Sequence, residues 1–260
     1  MEFLTIGSAT DTGLKRKENQ DYHAYYSPER GSRKGTLLAL ADGMGGRSGG
    51  AVASRIAVDV LIQEYYKDTS HSILESLEKA FFRANEQVLA RGDNDIDLKG
   101  MASTLTAVVL KGDRMYHAHI GDSRGYIIDG NGIWQFTEDH SFVASLVKAG
   151  HITEEEALTH PEKNVITRAI GLESEIKVDV SGRHEKVKKG QYILLCCDGL
   201  HGLVTNDEIL KTVHQYQEPD TICKELVEMA NRHGGTDNIT VLIARVDMAG
   251  LMNRVMNLMR

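Results

Sequence analysis

The order of helix-like and strand-like segments is the feature that most restricts the fold of this 260-residue chain. Two amphipathic helical patterns come one after the other at residues 53–65 and 72–88, with apolar residues three or four positions apart. A predicted antiparallel meander of short strands follows, at 105–110, 115–120, 126–128 and 133–136. Because strands and helices are grouped and do not alternate, the pattern predicts the α+β class.

The remaining segments extend this α+β pattern on both sides of the meander. Residues 37–41 form a short apolar run that predicts a buried strand leading into a DGMGG loop. Short helices are predicted at 141–149 and 153–158, strands at 177–180, 192–197 and 239–246, and helices after Thr205 and at 220–233. Three pairs have the spacing of a capping box, namely Ser72 with Glu75, Thr153 with Glu156 and Thr205 with Glu208.

Charge and hydropathy exclude several classes of protein. The chain has 30 Lys and Arg against 37 Asp and Glu, a net charge of −7, which argues against binding to nucleic acid or anionic lipid. Its apolar runs are far shorter than the roughly 18 residues of a membrane-spanning helix. The first residues lack a basic stretch followed by an apolar one, so we expect no secretory signal and a cytoplasmic protein.

The chain is expected to form one domain over residues 1–260, because no repeat or low-complexity linker divides it. We also expect a monomer. Cys196, Cys197 and Cys223 match neither a disulfide framework nor a CxxC metal motif, which predicts buried, reduced thiols.

Four aspartates at the ends of strand-like runs or turns are the strongest chemical signal in the sequence. They are Asp42 after LLALA, Asp122 in HIGDSRG, Asp198 after YILLCC and Asp237 in GGTDNITV. Any one of them alone is typical of a turn. Buried carboxylates need compensation for their charge, and several that converge favour a hard divalent cation such as Mg²⁺ or Mn²⁺. The set therefore predicts a metal site.

The ordered motifs around these aspartates resemble those of the PP2C (PPM) metal-dependent protein phosphatases, in a compact bacterial form. The resemblance covers about residues 7–246. The motifs are RKENQD at 16–21, LLALADGMGG at 37–46, MASTLT at 101–106, GDSR at 121–124, TEDHS at 137–141, VITRAIG at 165–171, LCCDGL at 195–200 and DNITV at 237–241.

The resemblance implies a role for each matching residue. Asp42 would bridge two metal ions, with Asp198 and Asp237 completing one site, and Asp21 and the Gly43 carbonyl serving the other. Asp122, together with Asp198, matches the position that holds a third ion in bacterial relatives. Arg16 matches the phosphate-binding arginine, whose guanidinium fork fits two phosphoryl oxygens.

The resemblance also implies a fold and an activity. The fold is a sandwich of two antiparallel β-sheets flanked by helix pairs, with a flap at about 141–175 that borders the active site. The activity is hydrolysis of phosphoserine or phosphothreonine in proteins by a water that bridges two Mn²⁺ or Mg²⁺ ions. A Hanks-type serine/threonine kinase and its substrates are the expected partners.

Two positions depart from the family pattern. Gln20 stands where the family usually has Glu, which removes one carboxylate near the second metal. Many relatives have a histidine, proposed as general acid, after the glycines or at the position of Met44. Here Arg47 follows the glycines, and a guanidinium cannot act as that acid.

Alternative functions remain open at this stage. GDSRG at 121–125 satisfies the G-x-S-x-G pattern of a serine hydrolase, although Gly125 leads into a strand-like segment and not into a helix. A phosphoprotein-binding pseudophosphatase would keep the fold without turnover, which the presence of all five metal-matching aspartates argues against. For His140 a functional and a structural role are equally favoured, and the strand histidines His117 and His119 are assigned no role.

Overall fold

The computed structural model describes residues 4–29, 32–45, 49–181 and 185–247. The strands are β1 Leu4–Asp11, β2 Asp21–Tyr26, β3 Thr36–Met44, β4 Ala102–Ser103, β5 Leu105–Lys111, β6 Arg114–Ile120, β7 Arg124–Asp129, β8 Gly132–Gln135, β9 Asp179–Val180, β10 Glu185–Lys186, β11 Tyr192–Cys196 and β12 Ile239–Val246. The helices are α1 Gly49–Lys67, α2 Ile73–Asp93, α3 Phe142–Lys148, α4 Glu154–Thr159, α5 Asp198–His201, α6 Asn206–Tyr216 and α7 Pro219–Arg232, with a short 3₁₀ helix at Ile96–Leu98.

The strands form two antiparallel sheets. The first has the order β1-β12-β11-β7-β8, and the second has the order β10-β6-β5-β3-β2, with β4 paired to β3 and β9 paired to β6. One apolar cluster lies between α1, α2 and the second sheet, and another lies between α5, α6, α7 and the first sheet. A third cluster fills the space between the sheets. The predicted α+β sandwich with flanking helices is therefore confirmed.

The period-2 alternation of the central strands explains these layers. On β3, Leu37, Ala39 and Ala41 face the helices, whereas Leu38 and Leu40 face the other sheet. Both faces of β3 are apolar because both are covered, which is why this strand is a continuous apolar run in the sequence.

The predicted meander is wrong, because its strands belong to two different sheets. Strands β5 and β6 form a hairpin in one sheet, and β7 and β8 form a hairpin in the other. The chain crosses between the sheets at Gly121, whose φ of +115° is unfavourable for residues with a side chain. The GDS turn therefore carries Asp122 from one layer of the sandwich to the other.

Other differences from the predicted elements have local causes. Strands β1 and β2 were not predicted, since their alternation is weak and they contain polar residues. The strand predicted at 177–180 is reduced to β9, because only its last two residues, Asp179 and Val180, pair with β6. Ser72 caps α2, but Glu75 accepts a hydrogen bond from Ser70 and does not complete a capping box. The other two predicted boxes are confirmed.

In the part of the chain that the structure describes, every helix is too short or too polar to span a membrane.

Candidate metal centre

The candidate site lies at one end of the apolar layer between the two sheets. Asp42 continues the alternation of Leu38 and Leu40 on β3, so its side chain is directed toward the inter-sheet space. Cys197, directly after β11, belongs to the inter-sheet cluster, and its amide donates a hydrogen bond to the carbonyl of Thr240 on β12. The central strands of both sheets therefore change from apolar to polar residues at the same end.

Asp21 completes the innermost part of the site. It lies directly opposite Asp42 in the antiparallel register of β2 and β3. The hydroxyl of Thr240 donates a 2.6 Å hydrogen bond to Oδ2 of Asp21 and so fixes the carboxylate from the other sheet. One ligand atom each of Asp21, Asp42 and Cys197 lie within 4.8 Å of one another, a spacing that can accommodate a metal ion.

Asp198 and Asp237 flank this inner cluster. Asp198 begins the short helix α5 immediately after β11, and Asp237 lies in the turn that precedes β12. Repulsion from Asp198 and from Asp237 contributes to the raised pKa values of both Asp21 and Asp42, so the four carboxylates share one electrostatic environment. Arg16 donates a 2.6 Å hydrogen bond to Oδ2 of Asp237 at the more exposed rim.

Asp122 lies at the crossing between the sheets and joins the same group of charges. Its side chain is buried, and burial together with repulsion from Asp198 raises its pKa to about 8. Its carbonyl is within 3.1 Å of Nε2 of His201, which is consistent with a hydrogen bond donated by the imidazole. The structure thus brings together Asp21, Asp42, Asp122, Asp198 and Asp237, all predicted from the sequence.

The protonation chemistry of these carboxylates indicates a cation site. Burial, followed by repulsion from neighbouring aspartates, raises the pKa of Asp21 to about 7 and raises the pKa values of Asp42 and Asp198. Within the described residues, a buried oxygen on each of Asp21, Asp122 and Asp198 has no hydrogen-bond partner. Unpaired buried oxygens in a cluster of carboxylates are the donor set that Mg²⁺ and Mn²⁺ prefer. The residues present therefore fit a divalent metal.

Two neighbouring residues hold Asp42 in place through its backbone. The amide of Asp42 donates a 2.8 Å hydrogen bond to Oγ1 of Thr104, and the carbonyl of Asp42 accepts bonds from the Thr104 amide and the Ser103 hydroxyl, both at 2.9 Å. Both side chains are buried. The MAST motif therefore supports the site without providing a carboxylate.

Gly43 has a packing role in addition to the predicted role of its carbonyl as a metal ligand. A Cβ at this position would lie 2.1 Å from the carbonyl oxygen of Gly50 at the start of α1 and 2.6 Å from that of Gln20. Glycine allows β3, α1 and the loop before β2 to meet at the site.

The loop that carries Arg16 is held by an asparagine whose role the sequence analysis missed. The side-chain amide of Asn238 donates 2.9 Å hydrogen bonds to the carbonyls of Thr12 and Glu18, and its Oδ1 accepts from the amide of Gln20. Asn238 directly follows Asp237, so one dipeptide both supplies a carboxylate and fixes the loop. The DN dipeptide alone does not predict this role of Asn238, because the pair is also typical of a turn.

The serine of GDSRG is not placed as a nucleophile. Ser123 is fully buried, and its hydroxyl lies 2.8 Å from Oγ1 of Thr104. The residues after it form strand β7, whereas a nucleophile elbow joins a strand to a helix. The structure therefore supports a packing role for Ser123.

His140 has a structural role at the base of the predicted flap. Its Nδ1 accepts a 3.0 Å hydrogen bond from the amide of Gly121, and its Nε2 lies 3.1 Å from Oδ2 of Asp179. Arg168, within the flap segment, donates a 2.8 Å hydrogen bond to Oδ1 of the same Asp179. His140 is only 2% exposed, so this network ties the flap to the turn that carries Asp122.

Of the two positions that depart from the family pattern, Gln20 and Arg47, the structure describes only Gln20. The backbone of Gln20 accepts hydrogen bonds from the amide of Gly43 and the hydroxyl of Ser54, so this residue organises the site through its carbonyl. Arg47 lies outside the described residues, and its predicted lack of an acid role stays a prediction.

Comparisons with known proteins agree with this geometry. The family model described as Protein phosphatase 2C matches residues 15–232. Protein phosphatase PhpP of Streptococcus pneumoniae is 36% identical over 247 residues, which are 94% of this chain and 98% of PhpP.

Solved structures resemble the chain over most of its length. The crystal structure of the Mycobacterium tuberculosis serine/threonine phosphatase PstP/Ppp has a TM-score of 0.83 and 37% identity, covering 94% of this chain and 99% of that one. A PstP catalytic domain in complex with two manganese ions has a TM-score of 0.80 and 36% identity, covering 94% of this chain and 98% of that one.

Proposed function

Because the chain belongs to the Protein phosphatase 2C family and is a protein-serine/threonine phosphatase, we propose that it removes phosphate from phosphoserine and phosphothreonine with the help of two Mn²⁺ or Mg²⁺ ions. The observation that carries this proposal is the group of buried carboxylate oxygens on Asp21, Asp122 and Asp198 that have no hydrogen-bond partner among the described residues. Such oxygens are costly unless a cation compensates them.

The carboxylates divide between the ions as the family pattern implies. Asp42 would be shared by both ions, Asp198 and Asp237 would complete one site, and Asp21 with the carbonyl of Gly43 would serve the other. The central position of Asp42 supports its shared role, since its pKa is raised first by burial and then by repulsion from each of the other four carboxylates. Asp122, whose pKa responds first to burial and then to Asp198, is suited to a third ion held together with Asp198.

The residues of this chain bind and orient the substrate and leave the attack on phosphorus to water. When bound, two such ions activate a water and offset negative charge on the phosphoryl group. Arg16 is at the rim with about half of its side chain exposed, so its guanidinium can donate to phosphoryl oxygens. The buried Ser123 and the buried thiols are not accessible to a phosphate ester.

The substrates are proposed to be phosphorylated proteins, including a Hanks-type kinase and the proteins that it phosphorylates. The flap segment supports contact with a protein surface, because Leu158, Val165 and Leu172 are 64%, 46% and 48% exposed. A docked phosphoprotein would cover these side chains. The pseudophosphatase alternative is disfavoured by the complete set of five carboxylates.

Calorimetric titration of Mn²⁺ into metal-free protein tests this proposal. We expect two ions to bind the wild type, a weaker third to be lost in Asp122→Asn, and binding of the first two to fail in Asp42→Asn. Asp93→Asn, which removes an exposed carboxylate at the end of α2, is the matched control and should bind like the wild type. Unchanged Mn²⁺ binding in Asp42→Asn would contradict the proposed ligand set.

A further inference from the structure

A chain of side-chain hydrogen bonds runs from the rim of the site to buried Asp21, and its outer members have no part in the proposed function. Asn19 lies in the loop before β2, and its Nδ2 donates a 2.8 Å hydrogen bond to Oγ1 of Thr10 on β1. The hydroxyl oxygens of Thr10 and Thr240 are 2.7 Å apart, and Thr240 donates a 2.6 Å hydrogen bond to Oδ2 of Asp21. Three consecutive hydrogen bonds therefore connect Asn19 to a proposed metal ligand.

The strand register brings the two threonines of this chain together. Thr10 and Thr240 lie directly opposite one another in the antiparallel pair of β1 and β12. Both face the space between the sheets, as do Ile6 and Leu242, which share their alternation on the two strands. Thr240 is fully buried, whereas Thr10 is exposed. The pair therefore carries the hydrogen-bond chain from the surface into the interior.

The direction of each hydrogen bond follows from the donors and acceptors available. A threonine hydroxyl has one hydrogen to donate, and an ionised carboxylate can only accept. Thr240 uses its hydrogen on Asp21, so the hydrogen between the two threonines belongs to Thr10. Thr10 in turn accepts from the Asn19 amide nitrogen, which has no acceptor capacity. Removal of either hydroxyl would therefore interrupt the chain.

A second contact, independent of the hydroxyls, closes the chain into a ring. Oδ1 of Asn19 accepts a 3.1 Å hydrogen bond from the backbone amide of Asp21. Since the carbonyl end of the Asn19 side chain is engaged there, its NH₂ end is the one that faces Thr10. Asn19 therefore holds Asp21 twice, directly through the backbone and indirectly through the two threonines and the carboxylate.

A ring of this kind fixes the orientation of the Asp21 carboxylate. With Oδ2 held by Thr240, the position of Oδ1 is set relative to the backbone, and this oxygen is left for a cation. Groups that hydrogen-bond to a metal ligand orient it, and their loss typically lowers metal affinity by about 10- to 100-fold. We infer that Thr240, Thr10 and Asn19 are positioning residues that preorganise Asp21 for the second metal ion. This inference rests on the proposed function, which assigns Asp21 to that ion.

Mn²⁺ binding to metal-free protein tests the inference without relying on activity. Free Mn²⁺ is measured by electron paramagnetic resonance, and a titration gives a dissociation constant for each of the two ions. Thr240→Val should raise one of the two constants by about tenfold or more and leave the other unchanged. Thr10→Val should raise the same constant by a smaller factor, because the hydrogen bond to Asp21 itself remains. Thr240→Ser and Thr10→Ser keep the hydroxyls and should bind like the wild type.

A double-mutant cycle tests whether the two threonines act as one chain. Once Thr240→Val has removed the link to Asp21, the added Thr10→Val change should have no further effect on Mn²⁺ binding. Ser8→Ala is the matched control, because Ser8 is two residues from Thr10 on the same face of β1, opposite Leu242. It should bind both ions like the wild type.

The outcomes separate positioning from a purely structural role and from failure of the proposed function. A Thr240→Val variant that is less stable in EDTA but binds both Mn²⁺ ions with wild-type constants would overturn the inference, as would fully additive losses in the cycle. If Thr240→Val does not fold, the exposed Thr10 decides the question, since equal Mn²⁺ binding by Thr10→Val and Thr10→Ser would also overturn it. A wild type that does not bind two Mn²⁺ ions would instead contradict the proposed function.

Discussion

Arg16 donates a 2.6 Å hydrogen bond to Oδ2 of Asp237, although the two residues are 221 positions apart in the sequence. The contact attaches the loop before β2 to the turn before β12. It also places a guanidinium at the rim of the carboxylate cluster, where it is next to the proposed metal ligands and remains about half exposed. This geometry suits a cation that binds the phosphoryl group as it enters the site.

Replacing Arg16 by alanine should chiefly raise KM for a phosphothreonine peptide. Hydrogen bonds to a charged group contribute about 1.5–3 kcal/mol, so KM should rise by about 10- to 100-fold, with a smaller change in kcat. Steady-state kinetics would measure both, with Arg16→Lys intermediate and the exposed Lys17→Ala unchanged. A loss confined to kcat would contradict a role in substrate binding.

The Asp42→Asn substitution should stabilise the metal-free protein while removing its response to Mn²⁺. Burial and repulsion from neighbouring aspartates raise the pKa of Asp42, so its ionised form destabilises the folded state at pH values above its ordinary pKa. Relief of this repulsion should add about 1–2 kcal/mol to the free energy of unfolding.

Thermal melts in mildly alkaline buffer, with EDTA and with Mn²⁺, would measure both the stability of the metal-free protein and its response to Mn²⁺. Mn²⁺ should raise the Tm of the wild type and leave that of Asp42→Asn unchanged. A variant that melts below the wild type in EDTA, or that keeps the full Mn²⁺-dependent rise in Tm, would be inconsistent with a repulsive metal-ligand cluster.

The Ser123→Ala substitution should leave turnover within about threefold of the wild type and cost about 1 kcal/mol of stability, because the buried hydroxyl is hydrogen-bonded to the hydroxyl of buried Thr104. Phosphopeptide turnover and urea unfolding would measure the two effects. A collapse of kcat with unchanged Mn²⁺ affinity would restore the serine hydrolase interpretation of GDSRG.

His119 should make the protein sensitive to acid. Burial and the neighbouring His140 lower its pKa to about 3, while the unfolded chain protonates this residue near its ordinary pKa of 6.5. Between these values only the unfolded state binds the proton, so the contribution of neutral His119 to stability is present above pH 6.5 and is lost as the pH falls toward 3.

Urea unfolding of the wild type and His119→Asn isolates this contribution. Between about pH 7.5 and about pH 5 the wild type should lose about 2 kcal/mol more than the variant. The exposed His151→Asn should follow the wild type, since its ring is in water in both states. Parallel pH dependences of wild type and His119→Asn would contradict a buried, neutral imidazole.

The sequence predicts the carboxylates of the site better than the residues that support them. Asp42 and Asp198 follow apolar runs, and although one such aspartate alone is typical of a turn, several that converge favour a cation that compensates their charge. The supporting contacts of Thr104, Thr240 and Asn238 depend on which strands lie opposite one another, and local patterns do not contain that information. The same limit explains the predicted meander, because short spacing between two predicted strands does not show whether the second strand joins the same sheet.

Phosphate release from a phosphothreonine peptide by metal-stripped protein tests the central claim most directly. We expect no turnover in EDTA, recovery on titration with Mn²⁺ or Mg²⁺, and no recovery for Asp42→Asn at ion concentrations that saturate the wild type. Full activity of the wild type in EDTA, or equal recovery of Asp42→Asn, would contradict a carboxylate-held metal centre as the source of the activity.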